Sequence, residues 1–281
     1  PILALAASAM LLSAALADEV KPKQFVLISF DGAHDLAQWR RSFALSEKTG
    51  AKFTYFLSCV YLLAPENKDI YRQPASAPSH SNVGFGKSRE DVTERLIYLF
   101  RAFVSGHEIA SHGCGHFDGS KWTAQEWAQE FASFDDIAAR AWVLNGDIEP
   151  SGWRDIARHF STGFRAPYLA TGPGLEAAEK SRGLLFDASG ITRGIEPAGR
   201  KSGIIRFALP TLPEGPQGKR IISMDYNLFV RHSGGNEQVD EGGAFEQRTF
   251  DMLKSAFDEQ YNGRRLPVQF GLHFVTMNGG A

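Results

Sequence analysis

The sequence predicts one α/β domain whose strands are mostly parallel and form a sheet or a barrel. Its 281 residues suit one large domain or two small ones, and the absence of a clear linker favours one. Short apolar stretches alternate along the chain with longer stretches of helical periodicity, which is the pattern of repeated βα units. Polar residues recur where the predicted strands end, and in βα folds that edge carries the active site. No internal repeat or low-complexity tract interrupts the pattern.

The strands are predicted from short runs of apolar and β-branched residues. The first, "QFVLISF", is apolar throughout, as expected for a strand buried on both faces. The predicted strands cover residues 24–30, 51–57, 107–112, 163–168, 183–189, 220–227 and 268–274.

The helices are predicted from apolar periodicity and from their N-terminal signals. Ser88 with Asp91 and Thr123 with Glu126 each have the spacing of a helix cap and a third-position acid. Between the helices lies a stretch rich in Pro, Ser and Asn over 64–87, which predicts a long loop. The predicted helices cover residues 35–50, 88–106, 123–144 and 244–261.

The composition provides a core and gives no sign of a nucleic-acid partner. Hydrophobic residues make up 43% of the chain, which is ample for a buried core. Lys and Arg number 30 against 32 Asp and Glu, for a formal net charge of -2. Nucleic-acid binding needs a basic surplus or a basic tract, and neither is present.

The N-terminal residues predict an export signal over 1–17. The run is apolar, rich in Ala and Leu, and ends in Ala15-Leu16-Ala17, an A-x-A cleavage pattern with Asp18 as the mature start. A membrane anchor is the alternative, but the run is short for a spanning helix. We therefore expect a periplasmic or extracellular protein with no stable membrane span, a signal clipped at its N-terminus, and a domain over 18–281 truncated at its C-terminus.

The two cysteines leave two possibilities open. Cys59 and Cys114 are either free and buried or joined in one disulfide of an exported protein. Cys114 lies between two histidines, so metal binding must be considered. Zinc sites that use cysteine bring several of them at close spacing, which favours a structural role here.

The segment "SHGCGH" is the sharpest local signal. His112 and His116 stand four residues apart in a Gly-rich turn after a predicted strand. Two imidazoles at this spacing can converge on one divalent ion, and a position at a strand end opposite an acid favours that interpretation. The alternative is a pair of ordinary polar loop histidines.

Asp31 in "SFDGAHD" stands at the mouth of the first predicted strand. It suits either a metal ligand or a general base. The structural alternative is a cap for the following helix, since Asp is a good N-cap. Asp35 is better placed for that role, which leaves Asp31 available for chemistry.

Two further candidates stand in later strands. Arg165 in "FRAPY" can clamp a carboxylate, or it can form a structural ion pair. His273 in "GLHF" is a candidate acid or base, although such histidines are often satisfied core residues.

Taken in order, these segments resemble the polysaccharide deacetylase family, the NodB homology domain of carbohydrate esterase family 4. The segments are "SFDGA", "GHEIASHGCGH", "FRAPY", "FDAS" and "GLHF", and the resemblance covers about residues 25–274. The loops and the "FDAS" segment are most similar to the chitin-deacetylase-like branch.

The resemblance implies a distorted (β/α) barrel and metal-dependent removal of acetyl groups from N-acetylated sugars. It implies a divalent metal ion, zinc first among the candidates, bound by His112 and His116. It also implies Asp31 as the catalytic base and His273 as the general acid that protonates the leaving amine.

Two more roles follow from the same resemblance. Arg165 matches the arginine that orients the base, and Tyr168 lies where the main chain helps to bind the oxyanion of the substrate.

The opening motif departs from the family pattern. The family has a second aspartate after the base, as third metal ligand, and here that position is Gly32. Asp35 or His34 could reach back, Asp225 could enter from another strand, Asp31 could itself bind metal, or no tight site exists. We favour a rearranged site with Asp35 or Asp225. Asp225 also begins the stretch 225–236, which is either a substrate-binding loop or an ordinary exposed loop.

The sequence therefore predicts an N-deacetylase that acts on an aminosugar polymer such as chitin, peptidoglycan or an exopolysaccharide. A carbohydrate-binding protein that kept the fold and lost the chemistry is the alternative that Gly32 favours. A third possibility is deacylation of a small amide or ester.

Overall fold

A central, mainly parallel β-sheet organises the molecule. The structure is a computed structural model that describes residues 21–74, 78–240 and 242–280, so the predicted export signal lies outside the described residues. The strands of this part of the chain are β1 (Val26–Gly32), β2 (Thr54–Leu57), β3 (Glu108–Ser111), β4 (Gly163–Phe164), β5 (Phe186–Thr192), β6 (Gly199–Lys201), β7 (Ile204–Glu214), β8 (Lys219–Ile222) and β9 (Val268–His273).

Helices follow most strands and cover the sheet, as the alternating pattern predicts. All three predicted caps are present, with Asp35, Ser88 and Thr123 each accepting a backbone N–H of the first turn. Within the described ranges, no helix combines the length and the hydropathy that a membrane span requires. The helices are α1 (Leu36–Thr49), α2 (Arg89–Val104), α3 (Ala124–Leu144), α4 (Trp153–Phe160), α5 (Pro173–Arg182), α6 (Asp225–Ser233) and α7 (Ala244–Asn262).

The strand order confirms the predicted α/β class. The order is β6-β7-β5-β4-β3-β2-β1-β9, and every pair from β7 to β9 is parallel. The short strands β6 and β8 pair antiparallel with β7. Parallel strands joined by helices put their carboxyl ends at one edge, which is where this fold class places its sites.

The segment after β8 connects the two ends of the parallel sheet. The Ser223 N–H donates to the Pro210 carbonyl of β7 across 2.9 Å, and the Gly271 N–H of β9 donates to the Ser223 carbonyl across 2.9 Å. A single parallel bridge joins Met224 to Gly271. The sheet is therefore curled in the manner of a distorted barrel, with β7 and β9 joined through one short segment rather than through a full ladder.

Aromatic packing between β1, β2 and α1 fixes the start of the site. Trp39 of α1 lies 4.3 Å from the Tyr55 ring, centroid to centroid, and 5.0 Å from the Phe274 ring. Its indole N–H donates to the Ala33 carbonyl, two residues after Asp31. Burying each of these side chains contributes about 1.5–3 kcal/mol. The turn after β1 is thus held by the core.

Two predicted strands are wrong in extent. The stretch 163–168 is extended only at Gly163–Phe164, because Pro167 lacks an N–H for the ladder and Tyr168 adopts φ 57°. The stretch 220–227 ends as a strand at Ile222, and Asp225 opens helix α6. The predicted loop 225–236 is therefore helical over most of its length.

The sequence patterns did not predict the strands β6 and β7 or the helices α4 and α5. The strand β7 contains Pro210 and Pro213, which are unusual inside a strand, and the helices α4 and α5 are short. The buried side chains of β7, α4 and α5 contact residues distant in sequence, which local periodicity does not reveal.

Candidate active site

Side chains from four parallel strands meet at the carboxyl edge of the sheet. Asp31 lies near the end of β1, and its register partner on the neighbouring strand β9 is His273. His112 and Arg165 directly follow β3 and β4. A cavity of about 460 Å³, lined by Asp31, His112, His116, Tyr168 and His273, opens over them. The structure thus brings together the residues that the motifs singled out.

Asp31 and Arg165 form a buried ion pair. The Arg165 Nη1 donates to Asp31 Oδ1 across 2.7 Å, and both side chains are at least 96% buried. Burial raises the pKa of Asp31, but the charge and hydrogen bond of Arg165, together with the neighbouring His112 and His273, outweigh burial and hold the pKa below its usual value. The carboxylate is therefore ionised at neutral pH.

The other contacts of Arg165 fix the orientation of that pair. Its Nη1 also donates to Ser29 Oγ across 2.8 Å, and its Nε donates to the Ala188 carbonyl across 3.1 Å. The guanidinium carbon lies 4.2 Å from the centre of the Phe56 ring. These contacts with three strands fix the conformation of the Arg165 side chain. They also fix the position of the Asp31 oxygen that Arg165 binds.

The two histidines of the "SHGCGH" segment face each other. Their ring centroids are 5.1 Å apart and the rings are nearly perpendicular. The Nδ1 of His112 pairs with the Arg165 carbonyl across 2.8 Å, which assigns the proton to Nδ1 and leaves Nε2 facing Asp31 Oδ2 at 4.0 Å. His116 Nδ1 is buried and has no hydrogen-bond partner among the described residues.

Both imidazoles are neutral. Burial lowers the pKa of His112, and burial, with a smaller contribution from the adjacent His112, lowers the pKa of His116 to about 3. Neutral imidazole is the form that donates a lone pair to a metal ion or accepts a proton.

A buried acid that the motifs did not reveal holds the histidine loop. Glu130 of α3 is 2% exposed, and its Oε1 accepts the N–H groups of Cys114 and Gly115 across 2.6 Å and 3.2 Å. Its Oε2 accepts the Tyr71 hydroxyl across 2.8 Å. The sequence does contain a signal, because Glu130 lies between Trp127 and Phe134 on the apolar face of α3.

Cys59 and Cys114 form a disulfide bond, which is one of the two possibilities that the sequence left open. Cys59 follows β2 and Cys114 lies in the histidine loop, and the bond between them closes a loop with a sequence separation of 55. The loop that carries His112 and His116 is thus attached both to α3 and to the neighbouring strand end. Two such attachments restrict the positions of the imidazoles.

His273 is paired with Asp225. The His273 Nδ1 and its backbone N–H each lie 2.6 Å from an oxygen of the Asp225 carboxylate. Burial lowers the pKa of His273, but the hydrogen bond and charge of Asp225 outweigh it and raise the pKa above its usual value. Both Asp225 oxygens are engaged in this way. The geometry supports a positioning role for Asp225 in place of the predicted substrate contact.

The geometry does not support Asp35 as the third metal ligand. Its Oδ1 accepts the Gln38 N–H across 2.9 Å as the cap of α1, and it is not among the cavity-lining residues. Gly32 has φ 91°, and a Cβ built there would lie 3.5 Å from His34 Nδ1. His34 itself stacks on Tyr61 with ring centroids 4.7 Å apart.

The donors present do not fit a complete metal site of the kind that the resemblance implies. Such a site needs three protein ligands besides the base, and among the described residues that line the cavity only the two imidazoles are free to serve. Over the residues that the structure describes, no group of three or more His, Cys, Asp or Glu side chains is arranged to hold an ion. Asp225 is committed to His273 and Asp35 to α1.

Tyr168 lines the same cavity with an unusual backbone. Its φ is 57°, the ring is 61% exposed, and the ring centroid lies 4.6 Å from that of His116. A left-handed backbone at a non-glycine residue costs about 1–3 kcal/mol and often occurs at functional sites. The role of its main chain at the oxyanion remains a prediction.

Asp31 and His273 thus place a carboxylate and an imidazole on one cavity at the carboxyl edge of a parallel sheet. No protein-family model and no curated protein sequence matches the chain. Solved structures with similar folds include carbohydrate esterase family 4 proteins, as the motifs predict. One is a family 4 acetyl xylan esterase from Clostridium thermocellum in complex with a cobalt ion, at 14% identity, covering 89% of this chain and 88% of that one, with a TM-score of 0.38.

Two other similar structures show the range of this set. The Xyl-CE4 domain of a multidomain xylanase from the hindgut metagenome of Trinervitermes trinervoides has 16% identity over 61% of this chain, with a TM-score of 0.35. This chain spans 60% of that domain's length. A CE4 family pseudoenzyme from Bacillus anthracis has 9% identity over 90% of this chain and 56% of its own, with a TM-score of 0.44.

Proposed function

We propose that the protein is an exported hydrolase of carbohydrate esterase family 4 that removes acetyl groups from an acetylated carbohydrate, with an N-acetylated aminosugar polymer as the first candidate. One observation carries the proposal. Asp31 and His273 are register partners on adjacent strands, line one cavity and have pKa values displaced in opposite directions. An ionised carboxylate beside a histidine whose pKa is raised is the arrangement that suits a general base and a general acid.

In this proposal Asp31 is the base. The carboxylate is ionised, and Arg165 binds one of its oxygens while the other faces the cavity beside His112. That oxygen takes a proton from a water molecule as the water attacks the acetyl carbonyl carbon. The Arg165 contact keeps the carboxylate in one orientation, so the acceptor oxygen stays directed at the cavity.

His273 is the acid of the same cycle. Its Nδ1–H is held by Asp225, so Nε2 carries the transferable proton toward the cavity. When the tetrahedral intermediate collapses, Nε2 protonates the leaving nitrogen of an acetamide or the leaving oxygen of an ester. Acetate and a free amine or hydroxyl are the products.

The side chains available as metal ligands give little support to a metal-dependent reaction. His112 and His116 offer two neutral imidazoles, and Gly32 supplies no carboxylate. We therefore assign no step to an ion. Zinc or another divalent ion is the cofactor to test first, because the sequence resemblance implies it.

The same glycine supports a second candidate function. A protein that retained the fold and the carbohydrate cavity but lost the ion would bind sugars without hydrolysing them. The Asp225–His273 pair argues for catalysis, because a binding site has no need for a histidine with a raised pKa.

Acetate release from an N-acetylglucosamine tetramer and from acetylated xylo-oligomers separates these functions. The protein is stripped with a chelator, then assayed alone and with zinc or cobalt, beside Asp31→Asn and the control Asp35→Asn. We expect acetate release that Asp31→Asn abolishes and Asp35→Asn retains. Tetramer binding without acetate release under every condition would establish the binding protein instead.

A further inference from the structure

A second cavity lies beside the candidate active site. Its volume is about 500 Å³, and Ile191 of β5 lines both cavities. The segment that carries Tyr168 in the active site continues directly to Thr171 and Gly172, which line the second cavity. An extended ligand with one unit beside Asp31 therefore has a neighbouring space for another unit, past the Ile191 side chain.

The lining of this second cavity is acidic. Four carboxylates face two cations, and the lining residues that carry charge are Glu176, Glu179, Asp187, Glu196, Lys201 and Arg206. Lys201 pairs with Glu176 across 2.8 Å. Arg206 Nη1 is shared by Glu179, at 2.6 Å, and Asp187, at 2.9 Å. One guanidinium thus serves two buried carboxylates, and negative charge is left in excess.

Two buried polar atoms of the lining have no partner. The Glu179 side chain is 1% exposed, and its Oε1 accepts no hydrogen bond from any described residue. The Nε of Arg206 likewise donates to no acceptor in the described part of the chain. Leaving a buried polar group unpaired costs about 1–3 kcal/mol, so such groups call for an explanation.

The charge of Glu179 is also poorly compensated. Burial and the nearby charge of Asp187 raise the pKa of Glu179 to about 7. An added positive group in the cavity would favour the ionised carboxylate. The missing group is thus a hydrogen-bond donor with positive charge, accompanied by an acceptor for the Arg206 Nε–H.

We propose that this cavity is a subsite for a sugar unit that carries a free amino group, bound by Glu179 and Arg206. The ammonium of the sugar donates to Glu179 Oε1, and a neighbouring hydroxyl oxygen accepts from Arg206 Nε–H. Both groups occur on adjacent carbons of a 2-amino sugar. This inference rests on the proposed function, since removal of an N-acetyl group creates that ammonium.

The subsite gives the protein a preference for partly deacetylated chains. A polymer with one free amine in the second cavity places an adjoining unit at Asp31 and His273. An N-acetylated unit in the same cavity presents no positive charge and adds an acetyl group. Each acetyl group removed would then favour binding beside it, which predicts runs of deacetylated units in the product.

Calorimetric titration of the protein with two ligands tests the subsite without turnover. The ligands are a glucosamine tetramer and an N-acetylglucosamine tetramer, each titrated into the wild type, Glu179→Gln and Glu196→Lys. We expect the glucosamine tetramer to bind more tightly to the wild type, and each variant to weaken it by about tenfold. Glu94→Gln is the control, because Glu94 pairs with Arg40 of α1 at the protein surface. This variant should bind both tetramers as the wild type does.

Glu179→Gln keeps the size of a buried side chain, and Glu196→Lys changes an exposed residue, so the second variant tests the subsite even if the first fails to fold. Equal binding of the two tetramers, or glucosamine binding unchanged in Glu196→Lys, would overturn the subsite. Equal binding of a tetralysine peptide with the same response to the variants would also overturn it, as simple ionic attraction. Glucosamine binding with no acetate release would retain the subsite and reject the deacetylase.

Discussion

His273 makes two hydrogen bonds to Asp225, one from its backbone N–H and one from its ring Nδ1, each 2.6 Å long. The two residues are 48 positions apart, and Asp225 is the first residue of α6. The contact fixes the ring of His273, its tautomer and its affinity for a proton at the same time. The first prediction concerns this proton.

Asp225→Asn should shift the pH profile of acetate release. His273 must be protonated to act as the acid, so activity falls as pH rises through its pKa, which Asp225 raises. Removing the carboxylate charge lowers that pKa and moves the alkaline limb of the profile to lower pH. The acidic limb, set by the lowered pKa of Asp31, should stay in place. If acetate release falls equally at every pH and both limbs stay in place, Asp225 only supports the structure and does not set the pKa of His273.

Arg165→Met should destabilise the protein and abolish activity. The change leaves the buried Asp31 carboxyl without its charge partner, which costs about 3–5 kcal/mol of unfolding free energy. Chemical denaturation measures the loss. Arg154→Met is the matched control, because the Arg154–Glu149 pair is solvent-exposed on the arginine side and should contribute less than about 1 kcal/mol.

Glu130→Ala should loosen the histidine loop. It leaves the Cys114 and Gly115 N–H groups and the Tyr71 hydroxyl without their acceptor, which costs about 2–5 kcal/mol of unfolding free energy. Glu130→Gln retains an acceptor oxygen and should recover most of the stability. The neighbouring, exposed Gln129→Ala serves as control. Equal stability of Glu130→Ala and the wild type would show that the loop does not depend on this contact.

Removal of one of the two imidazoles should weaken the binding of zinc to the site. Two histidines without a third ligand bind weakly, so a chelator should strip the ion readily, and His116→Ala should weaken binding by at least about tenfold. Asp35→Asn should leave zinc binding unchanged, since Asp35 caps α1 and asparagine caps equally well. Isothermal titration with zinc provides the affinities. Loss of binding in Asp35→Asn would restore Asp35 as the third ligand.

The sequence by itself determined the elements whose signals are local. Ser88 and Thr123 cap α2 and α3 as predicted, because a cap needs only a side chain and an N–H three residues away. Alternating strands and helices determined the parallel sheet, and a parallel sheet brings strand ends to one edge. That is why Asp31 and His273 could be placed together from residues 242 positions apart.

Only the tertiary structure decided which partner each of these groups has. Glu130 reaches the histidine loop because α3 packs beside it, and Asp225 reaches His273 because β8 ends early and a helix begins. The apolar neighbours Trp127 and Phe134 show that Glu130 is buried, but no nearby residue shows which group either acid contacts. They follow from strand register and helix packing, which depend on the whole core, so the local sequence pattern could nominate the catalytic groups but not the residues that hold them in place.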